Sequence, residues 1–193
     1  LPADAFGLYV DEWGMWVDQD EATDPPALFQ QGSIRDAIVA GLNLNLFHAH
    51  ADVVKMTNIA QMVNVLQAMI LTDGPDMVLT PTYHVFDMYQ PFMGAEALEM
   101  NLQSPDYVFG DVTVPAISAS AARTEDSRIV LALVNASAHD DHLVDASAFG
   151  ASKATGRILQ GEEMDSHNTF DGPDRVQPAP YIVDGTADDL VLS

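Results

Sequence analysis

The sequence predicts an α/β first half followed by an all-β second half. In the first half, two segments typical of buried strands flank a segment with helical periodicity, which gives one strand–helix–strand unit of a parallel sheet. From about residue 95 the pattern changes to short strand-like segments separated by Asp, Gly, Ser and Pro turns, as in a β-sandwich. We therefore predict two domains, 1–94 and 95–193, with the boundary near Gly94.

The first predicted strand lies in the segment 8–16, LYVDEWGMW, where two carboxylates follow apolar residues and a glycine separates two tryptophans. This pattern predicts a short buried strand whose C-terminal tip opens into a loop, the position where α/β barrels carry catalytic groups. An acidic pair at a strand end is more often a solvated turn. Indole rings beside a carboxylate nevertheless suit a sugar site, because the apolar face of a sugar ring stacks on them.

A helix and a second strand are predicted next in the first half. A helix covers residues 33–49, with Ser33 as N-cap and with Arg35 and Asp36 on the polar face of its first turn. A strand covers residues 53–60 and is followed by Gln61 at its C-terminal end.

After that strand, the apolar run 62–71 is predicted to be buried core, and residues 72–76 are predicted to form a turn. A second helix is expected to begin at Thr80 and Pro81, because proline is favoured at the first helical position. His84 is expected to pack within that helix. The ends of the predicted strands are therefore the expected positions of catalytic or binding residues.

Two features could indicate a metal site, but both favour a plainer interpretation. The acidic segment 18–26, DQDEATDPP, lacks the Asp-x-Asp-x-Asp-Gly order of a calcium loop and contains two prolines, so a solvated loop is predicted. His48 and His50 form a His-x-His pair, but residues with that spacing do not face each other on a helix. We expect no metal and no organic cofactor.

Four strands are predicted in the second half, at residues 112–114, 117–121, 128–135 and 181–183. Titratable groups do not gather at catalytic spacing in this half. Any chemistry is therefore expected in the first half.

Five motifs follow one another along the chain. They are VDEWG (10–14), QQGSIRDA (30–37), VKMTNIAQMVNVLQ (54–67), TPTYHVF (80–86) and HNTF (167–170). The five motifs in this order are a specific signal of a protein family, although no single motif is. The chain resembles the C-terminal part of an α-L-arabinofuranosidase of glycoside hydrolase family 51, from about Leu8 to near its end.

The resemblance implies the architecture. Enzymes of that family pack an eight-stranded α/β barrel against a β-sandwich. Residues 1–94 would hold the last two βα units of the TIM (β/α)8 barrel, and residues 95–193 would form a jelly-roll-like C-terminal β-sandwich.

The resemblance also implies the reaction. By matching motif, Glu12 would be the nucleophile of a retaining glycosidase that releases terminal α-L-arabinofuranosyl residues from arabinan, arabinoxylan and their oligosaccharides. Gln61 is expected to hydrogen-bond the sugar or the nucleophile, Trp16 to form an aromatic wall of the site, and Trp13 to shape the pocket.

A retaining enzyme needs a second carboxyl group as general acid and base. In the family it lies in an Asn-Glu motif upstream of the segment that this chain matches, and no Asn-Glu occurs in this sequence. We therefore expect catalytic activity only when the N-terminal part of the barrel is present, either in the same protein or as another chain. Two alternatives stay open: a non-catalytic carbohydrate-binding or assembly module, and a related retaining glycosidase such as an endoglucanase or xylosidase.

The composition argues against some classes of binding partner. The net charge of −22, from 29 acidic and 7 basic residues, argues against nucleic acid and anionic membranes, and cysteine is absent. No apolar run is long enough to span a membrane, and the first residues lack the features of a signal peptide. The resemblance implies a homo-oligomer. Localisation stays open, with the cytoplasm favoured over the periplasm or secretion.

Overall fold

A computed structural model of the protein describes residues 6–18, 28–150, 154–183 and 189–192. Of the predicted acidic loop only Asp18 falls within this part, so that interpretation lies outside the described residues. The helices are α1 (Ile34–Ala49) and α2 (Pro81–Tyr89), and the strands are β1 (Leu8–Trp13), β2 (Val54–Ile59), β3 (Ile70–Asp73), β4 (Asp76–Leu79), β5 (Glu96–Leu98), β6 (Asp106–Phe109), β7 (Val112–Pro115), β8 (Ile117–Arg123), β9 (Ile129–Asn135), β10 (His142–Asp145), β11 (Ala154–Ile158), β12 (Ala179–Val183) and β13 (Asp189–Leu192).

The predicted strand–helix–strand unit is confirmed. β1 and β2 pair in parallel, with α1 as the crossover between them, and Trp13 at the end of β1 lies opposite Ile59 at the end of β2. Because the two strands run in the same direction, their C-terminal ends meet at one edge of the pair. This edge carries the residues singled out in the sequence.

The start of α1 differs from the prediction in one respect. Ser33 is the N-cap and forms a capping box with Asp36, as its residue type favours. Asp36, however, is fully buried, whereas we expected it on a polar face. Its Oδ2 accepts hydrogen bonds from the backbone N–H of Ser33 (2.8 Å) and from Arg35 (3.2 Å), so protein donors bond this oxygen in place of water.

The apolar run 62–71 is only partly buried. Leu66, Ala68 and Leu71 belong to the core, but Met62 and Val63 are exposed. The run leads into an antiparallel hairpin of β3 and β4, so it does not form one continuous buried element. The prediction of uniform burial was wrong because hydrophobicity alone does not say which side of an irregular segment faces solvent.

The second helix follows its predicted chemistry. Thr80 is its N-cap and Pro81 its first residue, and His84 is buried in the helix as expected. Val85 joins α1 in a core cluster with Ala37, Ala40 and Leu44. Small residues on α1 let the two helices approach each other closely at this contact.

The second half consists of antiparallel strands, which confirms the predicted all-β half. β8 lies between β5 and β9 in a three-stranded sheet, and the remaining strands pair as β6 with β7, β10 with β13 and β11 with β12. The predicted strands correspond to β7, β8, β9 and β12. The described residues contain no helix long and apolar enough to cross a membrane.

Helix α1 packs against this sheet through a polar network. Asn45 donates to Ser118 Oγ (3.1 Å) and accepts from Ser120 Oγ (2.8 Å) and from the Tyr89 hydroxyl (2.8 Å). Ser120 Oγ also lies 2.9 Å from His48 Nδ1. The two halves are therefore joined by specific hydrogen bonds as well as by apolar contact, and a domain boundary near Gly94 stays a prediction.

His48 makes this contact sensitive to pH. Burial lowers the pKa of His48 below its usual value of 6.5, because it disfavours the charged imidazolium. Between 6.5 and the lower folded pKa, the unfolded chain binds more protons, so stability is highest above about pH 6.5 and falls as the pH drops. We expect His48→Gln to flatten the dependence of the unfolding midpoint on pH between about 7.5 and 5. Exposed His50→Gln is the matched control; an unchanged slope for His48→Gln would contradict the assignment.

The segment 159–178 folds back from the strands onto the first half. Ser166 O and Met164 O accept hydrogen bonds from the first two backbone N–H groups of α1, at 3.0 and 2.9 Å. Asn168 is fully buried and donates to Leu79 O and Val176 O, each at 2.9 Å, while its Oδ1 accepts from the N–H of Val176 at 2.7 Å. Asn168 of the HNTF motif is therefore a structural clasp on β4, while Met164 and Ser166 cap the start of α1.

Candidate functional site

Glu12 and Gln61 lie at the shared C-terminal edge of β1 and β2. Glu12 is the penultimate residue of β1, and Gln61 follows Ala60, whose N–H extends the pairing by donating to Trp13 O at 2.7 Å. Both side chains are exposed. The pair therefore places a carboxylate and an amide on neighbouring strand ends, open to solvent.

The two tryptophans occupy different environments. The Trp13 ring packs edge-on against Phe47 of α1, with centroids 5.3 Å apart, and stacks on Phe86 of α2 at 6.1 Å. Trp13 therefore packs against both helices, and its predicted role in shaping a pocket stays a prediction.

Trp16 lies in the loop after β1, and 68% of its surface is exposed. An exposed indole beside a strand-end carboxylate is available for stacking with a sugar ring. Its predicted role as an aromatic wall stays a prediction. The position of its ring depends on how the loop 14–17 is held.

Gly14 begins this loop with a φ of +152°, a region that favours glycine. A Cβ atom at this position would lie 3.3 Å from Ala60 O and 3.4 Å from the Gln67 side chain. Glycine is thus required both by the backbone conformation and by the close approach of two neighbours. The glycine between the tryptophans is what turns the chain sharply off the strand end.

Two glutamine amides hold the loop beyond Gly14. Gln67 Oε1 accepts from the Met15 N–H at 2.7 Å, and Gln30 Nε2 donates to Met15 O at 2.8 Å. Gln30 Oε1 also accepts from the Val17 N–H at 3.2 Å. The sequence analysis assigned no role to either glutamine. A signal existed for Gln67, because it is one of two polar residues in a mostly apolar run and buried polar groups need partners.

Metal ligands do not cluster in the part of the chain that the structure describes. His48 instead contacts Ser120, and its ring stacks on Phe92 with centroids 4.7 Å apart. His50 is exposed at the C-cap of α1. The two histidines therefore lie in different environments. His48 packs in the contact between α1 and the sheet, and His50 lies at the surface.

Comparison with protein families gives one match that spans most of the chain. The family model described as the alpha-L-arabinofuranosidase C-terminal domain matches residues 11–190. This range includes both halves of the fold. It also includes Glu12, Gln61 and the segment that folds back onto α1.

Two relatives are more than 40% identical to this chain over the aligned residues. An intracellular exo-alpha-L-arabinofuranosidase of Bacteroides ovatus is 42% identical over 177 residues, which cover 90% of this chain and 34% of that protein. The crystal structure of the GH51 arabinofuranosidase from Xanthomonas axonopodis pv. citri superposes with a TM-score of 0.91 at 44% identity, covering 99% of this chain and 40% of that one.

A more distant structure shares the fold. The thermostable GH51 alpha-L-arabinofuranosidase from Thermotoga petrophila RKU-1 has a TM-score of 0.80 at 24% identity, covering 97% of this chain and 41% of that one. The chain spans about a quarter to a third of the length of the curated relatives that it matches, 34% for the Bacteroides protein and 26% for one of Bacillus subtilis.

Proposed function

The chain belongs to the alpha-L-arabinofuranosidase C-terminal domain family, and on that premise we propose that it forms part of a retaining glycoside hydrolase. The reaction is the release of terminal α-L-arabinofuranosyl residues from arabinan- or arabinoxylan-type chains and their oligosaccharides. Glu12 is the nucleophile. Its carboxylate attacks the anomeric carbon, the leaving sugar departs, and water later hydrolyses the covalent glycosyl-enzyme.

One observation carries this proposal: the parallel pairing of β1 and β2 places Glu12 and Gln61 on adjacent strand ends at one exposed edge. Gln61, on the neighbouring strand end, is the proposed hydrogen-bond partner of the sugar or of Glu12. Trp16, exposed in the next loop, offers a flat apolar surface for the furanose ring. Catalytic residues at the C-terminal ends of parallel strands are typical of (β/α)8 barrels.

The proposal includes the remainder of that barrel. Parallel sheets are normally covered on both faces, yet the β1–β2 pair leaves Leu8 53%, Tyr9 58% and Met56 45% exposed. Preceding barrel strands, in the same protein or in an associated chain, would cover these side chains and pair with the free edge of the two strands. They would also supply the second carboxyl group, which acts as general acid and then as base about 5 Å from Glu12.

Within this proposal, residues 1–94 are the last two βα units of the barrel and residues 95–193 are the β-sandwich. The polar contact of α1 with β8 and the clasp formed by Asn168 support a rigid connection between the two parts. The homo-oligomeric state implied by the family stays a prediction.

A panel of aryl glycosides tests the substrate. The longest form of the protein that contains this chain is expected to hydrolyse an aryl α-L-arabinofuranoside and to leave aryl glucosides and xylosides largely intact. The initial product should keep its anomeric configuration, as followed by NMR. Activity on glucosides or xylosides alone would favour the related glycosidase, and sugar binding without turnover would favour a carbohydrate-binding module.

A further inference from the structure

We propose that Gln67 and Gln30 are positioning residues of the same site, and that their side-chain amides fix the loop which presents Trp16 to the sugar. The inference rests on the proposed function, because it assigns their effect to arabinofuranoside binding. Neither glutamine touches the substrate in this account. Both act on Trp16 through the backbone on either side of it.

Gln67 connects the loop to the first turns of both helices. It is fully buried, and its Nε2 donates to Asp36 O of α1 at 2.7 Å and to Thr82 Oγ1 of α2 at 3.3 Å. Its Oε1 is thereby fixed in place and accepts from the Met15 N–H at 2.7 Å. An amide held at both ends in a buried setting is a rigid anchor, because an alternative orientation would leave polar groups unpaired.

Gln30 holds the same loop from the other side. It is 5% exposed, and its amide bonds Met15 O and the Val17 N–H, the groups that flank Trp16 in the chain. Together the two glutamines satisfy both backbone groups of Met15 and the N–H of Val17. The peptide units before and after Trp16 are therefore fixed, although the ring itself projects into solvent.

Glu12 is held in place by different contacts. Its strand end is fixed by the pairing of β1 with β2, including the hydrogen bond from Ala60 N–H to Trp13 O at 2.7 Å. The turn at Gly14 separates this ladder from the loop. Loosening the glutamine contacts should therefore disturb substrate binding by Trp16 more than bond cleavage by Glu12, which predicts a change in KM with a smaller change in kcat.

The test uses Gln30→Met in the longest form of the protein with an aryl α-L-arabinofuranoside. Methionine keeps the length of the side chain but cannot form the amide's paired hydrogen bonds. We expect KM to rise about 3- to 10-fold, the amount that corresponds to loss of an aromatic stacking contact, with kcat changed less than about 2-fold. Gln67→Met is the second variant. Because Gln67 also bonds both helices, its unfolding midpoint is measured alongside.

A double-mutant cycle separates positioning from general destabilisation. If Gln30 acts through Trp16, the rise in KM caused by Gln30→Met should disappear in a Trp16→Ala background. Gln31→Met is the matched control, because Gln31 is half-buried next to Gln30 but bonds Gly32 O and Asn168 O. Its KM should equal that of the wild type.

Three results would overturn the inference. They are a wild-type KM for Gln30→Met, an equal fall in kcat and kcat/KM, and an undiminished effect in the Trp16→Ala background. Each leaves the proposed function intact as long as the wild type hydrolyses the arabinofuranoside. A wild type without that activity would overturn the proposed function and this inference with it.

Discussion

Glu12→Gln in the longest form of the protein is expected to lower kcat on an aryl α-L-arabinofuranoside by roughly 10³-fold or more, as removal of a catalytic nucleophile does. Glutamine has nearly the same size but cannot form the glycosyl ester. Glu12 is exposed at the end of β1, so the exchange leaves the packing of the fold unchanged. The loss should therefore appear in turnover, with an unfolding midpoint close to that of the wild type.

The control for this substitution is Glu99→Gln, the same chemical change at an exposed carboxylate after β5. It should leave turnover unaltered. A Glu12→Gln protein with more than about a tenth of wild-type kcat would contradict the assignment of Glu12. A loss of kcat that accompanies unfolding would do the same, since it would make the residue structural.

Asn168→Leu is expected to destabilise the fold by about 3 kcal/mol or more, because it leaves buried polar groups without partners at about 1–3 kcal/mol each. The groups are Leu79 O and both backbone groups of Val176, which Asn168 bonds at 2.7 to 2.9 Å. Loss of this clasp should also free the segment that caps α1. The unfolding midpoint in urea or on heating measures the effect.

Asn101→Leu is the matched control, because Asn101 is exposed and the substitution is the same. Surface substitutions of this kind usually change stability by less than about 0.5 kcal/mol. If Asn168→Leu shifted the midpoint no more than Asn101→Leu, the segment 159–178 would not contribute to stability as we describe.

Local patterns predicted the elements that build the site. Ser33, Pro81 and the period of the apolar residues located both helices, and the apolar strand before Glu12 located β1. The parallel pairing of β1 and β2 followed from the helix between them, because a crossover connection joins parallel strands. Such features depend on residues that are close together in the chain, so they could be predicted from the sequence.

The contacts that could not be predicted from the sequence join residues that are far apart in the chain. Asp36 looked like a solvated first-turn carboxylate, yet it is fully buried, and Gln67, 31 positions away in the chain, bonds its carbonyl oxygen. Asn168 was part of a motif, but its partner on β4, Leu79 O, lies 89 positions away in the chain. Gln67 became an anchor only because the loop after β1, α1 and α2 bring its three partners together. No local pattern states which distant backbone groups will need a partner.

Covalent trapping tests the central claim most directly. An aryl α-L-arabinofuranoside with a good leaving group and fluorine at C2 should form the glycosyl-enzyme faster than water can hydrolyse it, because the fluorine destabilises the oxocarbenium-like transition state. After proteolysis, mass spectrometry is expected to find one fluoroarabinofuranosyl group on the peptide that contains Glu12, and none in the Glu12→Gln protein. A stable adduct on another carboxylate, or turnover without any adduct, would contradict the account.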